Sequence, residues 1–179
     1  MTSATTTARS SPYEAVLGEA YASLHPHVRR AHVAPLHAHG TMDVEHGRGW
    51  LAPPMIWLMK LPAAGAGQPV QLEVVEDGAE LVWARRIGDS ILRTRQHASG
   101  ALLVERSGIG RVSFHLAVED GALRYRQSSI HVAGLPVPSS LSPRVGAVVS
   151  ATAEGWHVMV TVTWRERILC RYAGPMHAS

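Results

Sequence analysis

From Val70 onward the chain is built almost entirely of short runs in which apolar and polar residues alternate, and this period of two constrains the fold more than any other feature. Such runs are half-buried strands, each with one wet and one dry face. They are placed at 70–76, 80–87, 90–97, 101–106, 111–119, 122–132, 144–152, 156–164 and 167–173. Asp77-Gly78, Gly88-Asp89, Ser107-Gly108-Ile109-Gly110, Asp120-Gly121 and Glu154-Gly155 punctuate them as tight turns. Many short strands at this spacing imply a mainly β fold, an antiparallel meander forming a barrel or strongly curved sheet. The stretch from Gly134 to Pro143 is proline-rich and reads as a loop across one end of the sheet.

The N-terminal third has a different grammar. Ser11-Pro12-Tyr13-Glu14 combines a capping serine, a proline suited to the first helical position and a carboxylate that can close a capping box. Tyr13, Val16, Leu17, Ala20, Tyr21 and Leu24 recur at helical spacing, so one helix is expected over 12–24, stopped at His25-Pro26. Leu36, Ala38, Met42 and Val44 then alternate with polar residues as in a strand. Leu51 to Leu61 carries apolar groups nearly all round and is expected as a short second helix, a lid or interface rather than core. Residues 1–11 read as a disordered tail, leaving 12–179 as a single barrel-like domain.

Composition narrows the function classes. With 46% apolar and 17% charged residues among 179, the chain is an ordinary folded domain. Its arginines are scattered over alternate strand positions, not gathered in a patch, which argues against nucleic acid as a partner. As a helix the 51–61 stretch would reach only about 16 Å, short of a bilayer core of roughly 30 Å, so no membrane span is expected. The single cysteine, Cys170, lies within an apolar run and suits a buried thiol in a reducing, cytoplasmic setting. His37 and His39 share a strand face with Asp43 and Glu45, but opposite the apolar one, so surface histidines are expected and no metal. Nucleophile elbows, phosphate loops and dinucleotide fingerprints are absent, and no cofactor is expected.

Polar residues on apolar strand faces carry the functional signal. Arg85 shares a face with Leu81, Trp83 and Ile87, and Glu105 shares one with Leu103. Leu123 and Tyr125 head a face that continues to Gln127, after which Ile130 and Val132 take over; that change of parity implies a bulge near Ser128-Ser129. A buried guanidinium needs a counter-ion, and Glu105 is the nearest in the meander. These residues form either a core ion pair or the lining of a cavity. Trp57 and Trp83, with Trp50, Trp156 and Trp164, could line an apolar pocket.

Pro12-Tyr13 through Leu17-Gly18, Leu24-His25-Pro26, Val28-Arg29-Arg30 to His32, Val44-Glu45 and Gly47-Arg48-Gly49 come in a telling order. Leu61-Pro62, Gly67, Pro69-Val70, Trp83-Ala84-Arg85, Leu103-Val104-Glu105, Gly108, Phe114 to Asp120-Gly121 and Gly134 to Pro138 follow. Together they resemble the bacterial domain-of-unknown-function 4166 family over about Pro12 to Pro143. The resemblance implies little activity. It carries over His32, Glu45, Arg85 and Glu105 as the polar positions of the pattern, and implies either a stand-alone protein or a companion of a nicotinamide-dependent oxidoreductase, which would then be a separate partner.

Two functions fit. In the first, the barrel binds an apolar small molecule and acts as a cofactor-free cyclase or isomerase of a biosynthetic pathway. Arg85 then stabilises negative charge, Glu105 or His32 moves a proton, and Tyr125, Gln127, Trp57 and Trp83 hold the ligand. In the second, a non-catalytic module docks on the oxidoreductase through the 51–61 segment and a strand edge. A homodimer is compatible with either.

Overall fold

The computed structural model describes residues 11–48 and 52–179. The expected tail, apart from Ser11, and Trp50 lie outside the described residues. In chain order the elements are helix α1 (Pro12–Leu17), a 3-10 turn (Gly18–Ser23), α2 (Pro26–Arg30), β1 (Leu36–His46), α3 (Ala52–Leu58), β2 (Gly65–Asp77), β3 (Glu80–Ile87), β4 (Ser90–Ser99), β5 (Leu102–Ser107), β6 (Gly110–Glu119), β7 (Ala122–Val132), β8 (Leu135–Pro136), β9 (Arg144–Ala151), β10 (Trp156–Trp164) and β11 (Arg167–Ala178). Every long strand is hydrogen-bonded antiparallel to its sequence neighbours, β7 passes directly to β9, and β11 returns to β1. Ten strands therefore close an up-and-down barrel, with the two-residue β8 added on the end of β7.

All nine expected meander strands are present. The last runs five residues further than the alternation suggested, to Ala178, because this stretch pairs with β1 and makes the closing seam. That seam needs glycine: a Cβ on Gly40 would collide with the Pro175 carbonyl oxygen, and one on Gly174 with that of Thr41. The bulge is where parity placed it. Ser113 faces Ser129 but Phe114 faces Gln127, so Ser128 is the extra residue and the inward set passes from Tyr125 to Ile130.

The expected single helix over 12–24 is a correction. Ser11 caps it through a 3.2 Å bond from the Glu14 amide, but α1 ends at Leu17, where Gly18 takes φ 54°. After the 3-10 turn, Pro26 starts a new helix, with His25 as its cap, rather than only stopping the old one. The same fixed φ of proline that excludes helix before it suits a first helical residue.

In a meander barrel alternate turns lie at opposite ends. The helices before β1 plug the end carrying the β2–β3, β4–β5, β6–β7 and β9–β10 turns. His25 N–H donates to the Gly121 carbonyl, and a His27 ring nitrogen lies 2.8 Å from the Gly155 carbonyl oxygen. Tyr13, Leu24 and Val28 enter the core from this plug and are almost wholly buried. The other end carries α3 and the proline-rich loop. Met55, Ile56 and Met59 pack on the core, while Trp57 is exposed.

Side chains fill small barrels of about eight strands, and wider ones hold space. Here inward-pointing Val145, Ala147, Val158 and Val160 are short and only half-buried because they face an open interior. Leu103, by contrast, is fully buried at the plug. Leu103→Ala should therefore cost about 2–5 kcal/mol of unfolding free energy, and Val160→Ala under about 1 kcal/mol. Equal losses in urea melts of the two variants would mean that the barrel is solidly packed.

Candidate functional site

The interior is a cavity of about 1720 Å³, open at the α3 end. Its walls are aliphatic, and its polar groups gather beside the helix plug. Strand alternation turns Arg85 of β3, Thr94 and Gln96 of β4, Glu105 of β5 and Tyr125 of β7 inward, and the plug adds Tyr13 and His32. Trp83 lines the same space, with the Arg85 guanidinium 4.7 Å from the centre of its ring.

Arg85 and Glu105 form the expected pair. Arg85 Nη1 lies 3.0 Å from Glu105 Oε1 and 3.0 Å from Thr94 Oγ1. The other carboxylate oxygen accepts from Gln96 Nε2 at 3.0 Å, and Gln96 Oε1 accepts the Tyr13 hydroxyl proton. The two charged side chains keep 23% and 20% of their surface, exposed to the cavity. The pair is thus both an ion pair of the core and part of a lining, two descriptions the sequence had set against each other. Burial alone would raise the Glu105 carboxyl, but Arg85 and the hydrogen bonds from Thr94 and Gln96 outweigh it and hold it below its ordinary 4.5. Burial likewise opposes the charge on Arg85, and Glu105 more than restores it.

Proton counting fixes the rest of the cluster. His32 Nδ1 lies 2.7 Å from the Val28 carbonyl oxygen, which can only accept, so Nδ1 carries the proton and Nε2 is bare. Tyr125, 2.8 Å away, therefore donates to Nε2. Tyr13 has already given its proton to Gln96, so the 3.2 Å contact between the two phenol oxygens has no proton left to share. Burial drives His32 down to about 4, with the Arg85 charge acting in the same sense, so it is neutral around pH 7. Burial lifts Tyr13 and Tyr125 above their ordinary 10, and brings Tyr172, which faces the cavity from β11, up to about 12. At neutral pH the site holds one internally neutralised ion pair and otherwise uncharged donors and acceptors.

Of the residues singled out in the sequence, Arg85, Glu105, His32, Tyr125 and Trp83 come together here. Trp57 sits at the mouth, away from the polar cluster. Gln127 does not join them. Its amide nitrogen donates to Ser142 Oγ and the Pro143 carbonyl, and its oxygen accepts from the Val145 amide, which clips the proline-rich loop to β7. Glu45, His37 and His39 are on the outer, exposed face of β1. Among the described residues, no three His, Cys, Asp or Glu side chains are grouped as metal ligands would be. Cys170 is buried, and burial pushes its thiol up to about 11.

Sequence reading passed over Thr94 and Gln96. The test that found Arg85 finds them too, since Leu92, Thr94 and Gln96 share the inward face of β4. In the sequence Tyr13 is only one member of a helical stripe. A single helix-borne tyrosine carries no mark that its hydroxyl will reach a strand 83 residues away.

Two outcomes follow from these shifts. Below its ordinary 6.5 the unfolded chain takes up a proton at His32 that the folded chain refuses until about 4. Stability therefore falls with falling pH across that window, by up to about 3 kcal/mol. Glu105, held low in the fold, adds a loss below 4.5, as pH drops through its folded value. A His32→Gln variant should show a flatter stability profile between pH 6.5 and 4 in urea melts. An unchanged slope would place the titration elsewhere. In a double-mutant cycle Arg85→Leu and Glu105→Leu should couple by about 1–3 kcal/mol, short of a fully dry pair because cavity water reaches the survivor.

Among solved structures, the chain is similar to a secretary abundant heat soluble (SAHS) protein from Ramazzottius varieornatus, crystallised from a dimer sample. The likeness covers 79% of this chain and 93% of that one at 10% identity, with a TM-score of 0.43. No curated protein matches the chain. The profile of the family described as Domain of unknown function (DUF4166) matches residues 24–176, which extends the resemblance read from the sequence through β9, β10 and most of β11. From the plug to the closing strand, this chain belongs to the DUF4166 family.

Proposed function

We propose that the barrel binds an elongated, predominantly apolar small molecule, inserted through the α3 end, with one uncharged oxygen function resting on the polar cluster. The cavity of about 1720 Å³, aliphatic along its walls and polar at its inner end, is the observation that carries this reading. The charge state of the cluster selects the head group. Glu105 already neutralises Arg85, so a ligand carboxylate would gain one cation and meet one anion at equal range. A hydroxyl, ketone or ester oxygen avoids that conflict and can accept from the remaining guanidinium N–H groups.

Acid–base catalysis on the same cluster, as in a cofactor-free cyclase or isomerase, is the more demanding version. Arg85 would face developing negative charge, with Glu105 or His32 as the proton acceptor and Tyr125 as the orienting group. Both Glu105 oxygens already accept hydrogen bonds and its proton affinity is lowered, while His32 Nε2 is filled by Tyr125. This arrangement favours holding a ligand over moving a proton. Docking on an oxidoreductase requires no cavity, so the open interior favours the binding reading over it.

Nile red should bind the protein in solution, and Ala147→Trp with Val160→Trp, which fill the cavity from β9 and β10, should weaken it by about tenfold or more while the fold is kept. Preference for a long-chain alcohol over an alkane of equal length should drop by about tenfold in the Arg85→Leu/Glu105→Leu double variant, the equivalent of one hydrogen bond. Undiminished dye binding by the filled barrel would remove the cavity from the function.

A further inference from the structure

The exposed apolar residues are not spread over the molecule. Among the described residues eight large hydrophobic side chains are exposed, and all but Val33 lie at the α3 end of the barrel. Trp57 on α3 is 81% exposed, Ile109 in the β5–β6 turn 73% and Leu135 on β8 72%. Ile91 beside the β3–β4 turn, Val132 with Leu141 in the segment between β7 and β9, and Ile168 after the β10–β11 turn complete a broken collar around the mouth. No flat patch results. The tips stand on separate loops around a hole.

Charge is divided between the same two ends. The segments at the mouth carry Arg48, Lys60, Arg111, Arg144, Arg165 and Arg167 against Asp89 and Glu166. None of these six cations has an ion-pair partner among the described residues. The turns at the plugged end carry Asp77, Glu80, Glu119, Asp120 and Glu154 and no lysine or arginine. Three of those acids pair with arginines on the barrel wall, and on the plug helices Glu14 and Glu19 stand against Arg29 and Arg30, so this end keeps a small net negative charge.

We propose that the mouth docks on an anionic lipid bilayer surface, with the collar side chains entering the headgroup region and the cations resting on lipid phosphates. A ligand could then pass between the hydrocarbon and the cavity without crossing water. The charge division supplies the orientation, since an anionic surface attracts the cationic mouth and has no net attraction for the plug. The separated tips suit a fluid surface, which conforms to each of them, better than the flat face of a protein partner.

The proposal rests on the apolar-ligand reading of the cavity, but its test does not. Full-length protein without ligand is floated with vesicles of phosphatidylcholine alone or mixed with phosphatidylglycerol. Binding should be at least about tenfold tighter to the anionic mixture and should weaken as salt is raised. Arg165→Glu with Arg167→Glu, both exposed and outside the cavity lining, should abolish the preference and leave Nile red binding in solution unchanged. Ile109→Ser with Leu135→Ser should lower binding to anionic vesicles, and Glu119→Lys with Asp120→Lys at the other pole should not weaken it. Equal binding to both vesicle types, no binding to either, or indifference to the arginine reversals would overturn the proposal. Dye binding that survives such a failure would leave the cavity reading standing and turn the mouth toward an acidic protein partner.

Discussion

Everything in this molecule depends on the pairing of β11 with β1. An antiparallel sheet of ten strands has two open edges, each a row of unmet donors and acceptors that invites other chains. Joining residues 36–46 to 167–178 removes both. It also sets the diameter, and with it the volume no residue fills. Gly40 and Gly174 let the backbones come close where Pro175 interrupts the ladder by lacking an N–H, and Gly47 does the same against Ile168 at the far end of the seam. The open interior is a consequence of strand number and short valine and alanine walls, not of any one residue.

Closure leaves two ends with unequal fates. The plug end is sealed by apolar side chains from the N-terminal helices and by their hydrogen bonds to the turns below. The mouth is bordered by turns, α3 and the proline-rich loop, which Gln127 ties down. Between them the cavity runs from polar to apolar. An uncharged polar head and a long apolar body would match this gradient in one orientation only, so direction is built into the wall before any ligand is present.

Much of this was legible in the residues. Alternation located each strand of the meander, because a strand with one wet face must alternate, though β2 and β11 each run five residues beyond it, and the parity change between Tyr125 and Ile130 located an insertion of one residue. The inward arginine demanded a partner, and Glu105 was the one at hand. Other things were hidden for physical reasons. Helical spacing continues through Gly18, so the stripe from Tyr13 to Leu24 hid a break set by one glycine's backbone. Gln127 had the right parity for the interior, yet its amide met the loop before it met the cavity. The closing strand ran past Ala173 because β1, far away in sequence, offered it a ladder, and local alternation holds no information about a distant partner.

The Tyr13 hydroxyl has a consequence beyond the plug. It is the bond by which α1 holds Gln96, and Gln96 in turn holds Glu105, whose other oxygen holds Arg85. The plug at one end and the polar cluster inside are therefore one hydrogen-bonded chain, with no insulating layer between them. Whatever displaces Arg85 or Glu105 therefore acts, through Gln96, on a bond that seats the N-terminal helix. In a barrel built this way the closed end and the polar end of the cavity share one set of bonds, although Tyr13 and Gln96 stand 83 residues apart in the chain.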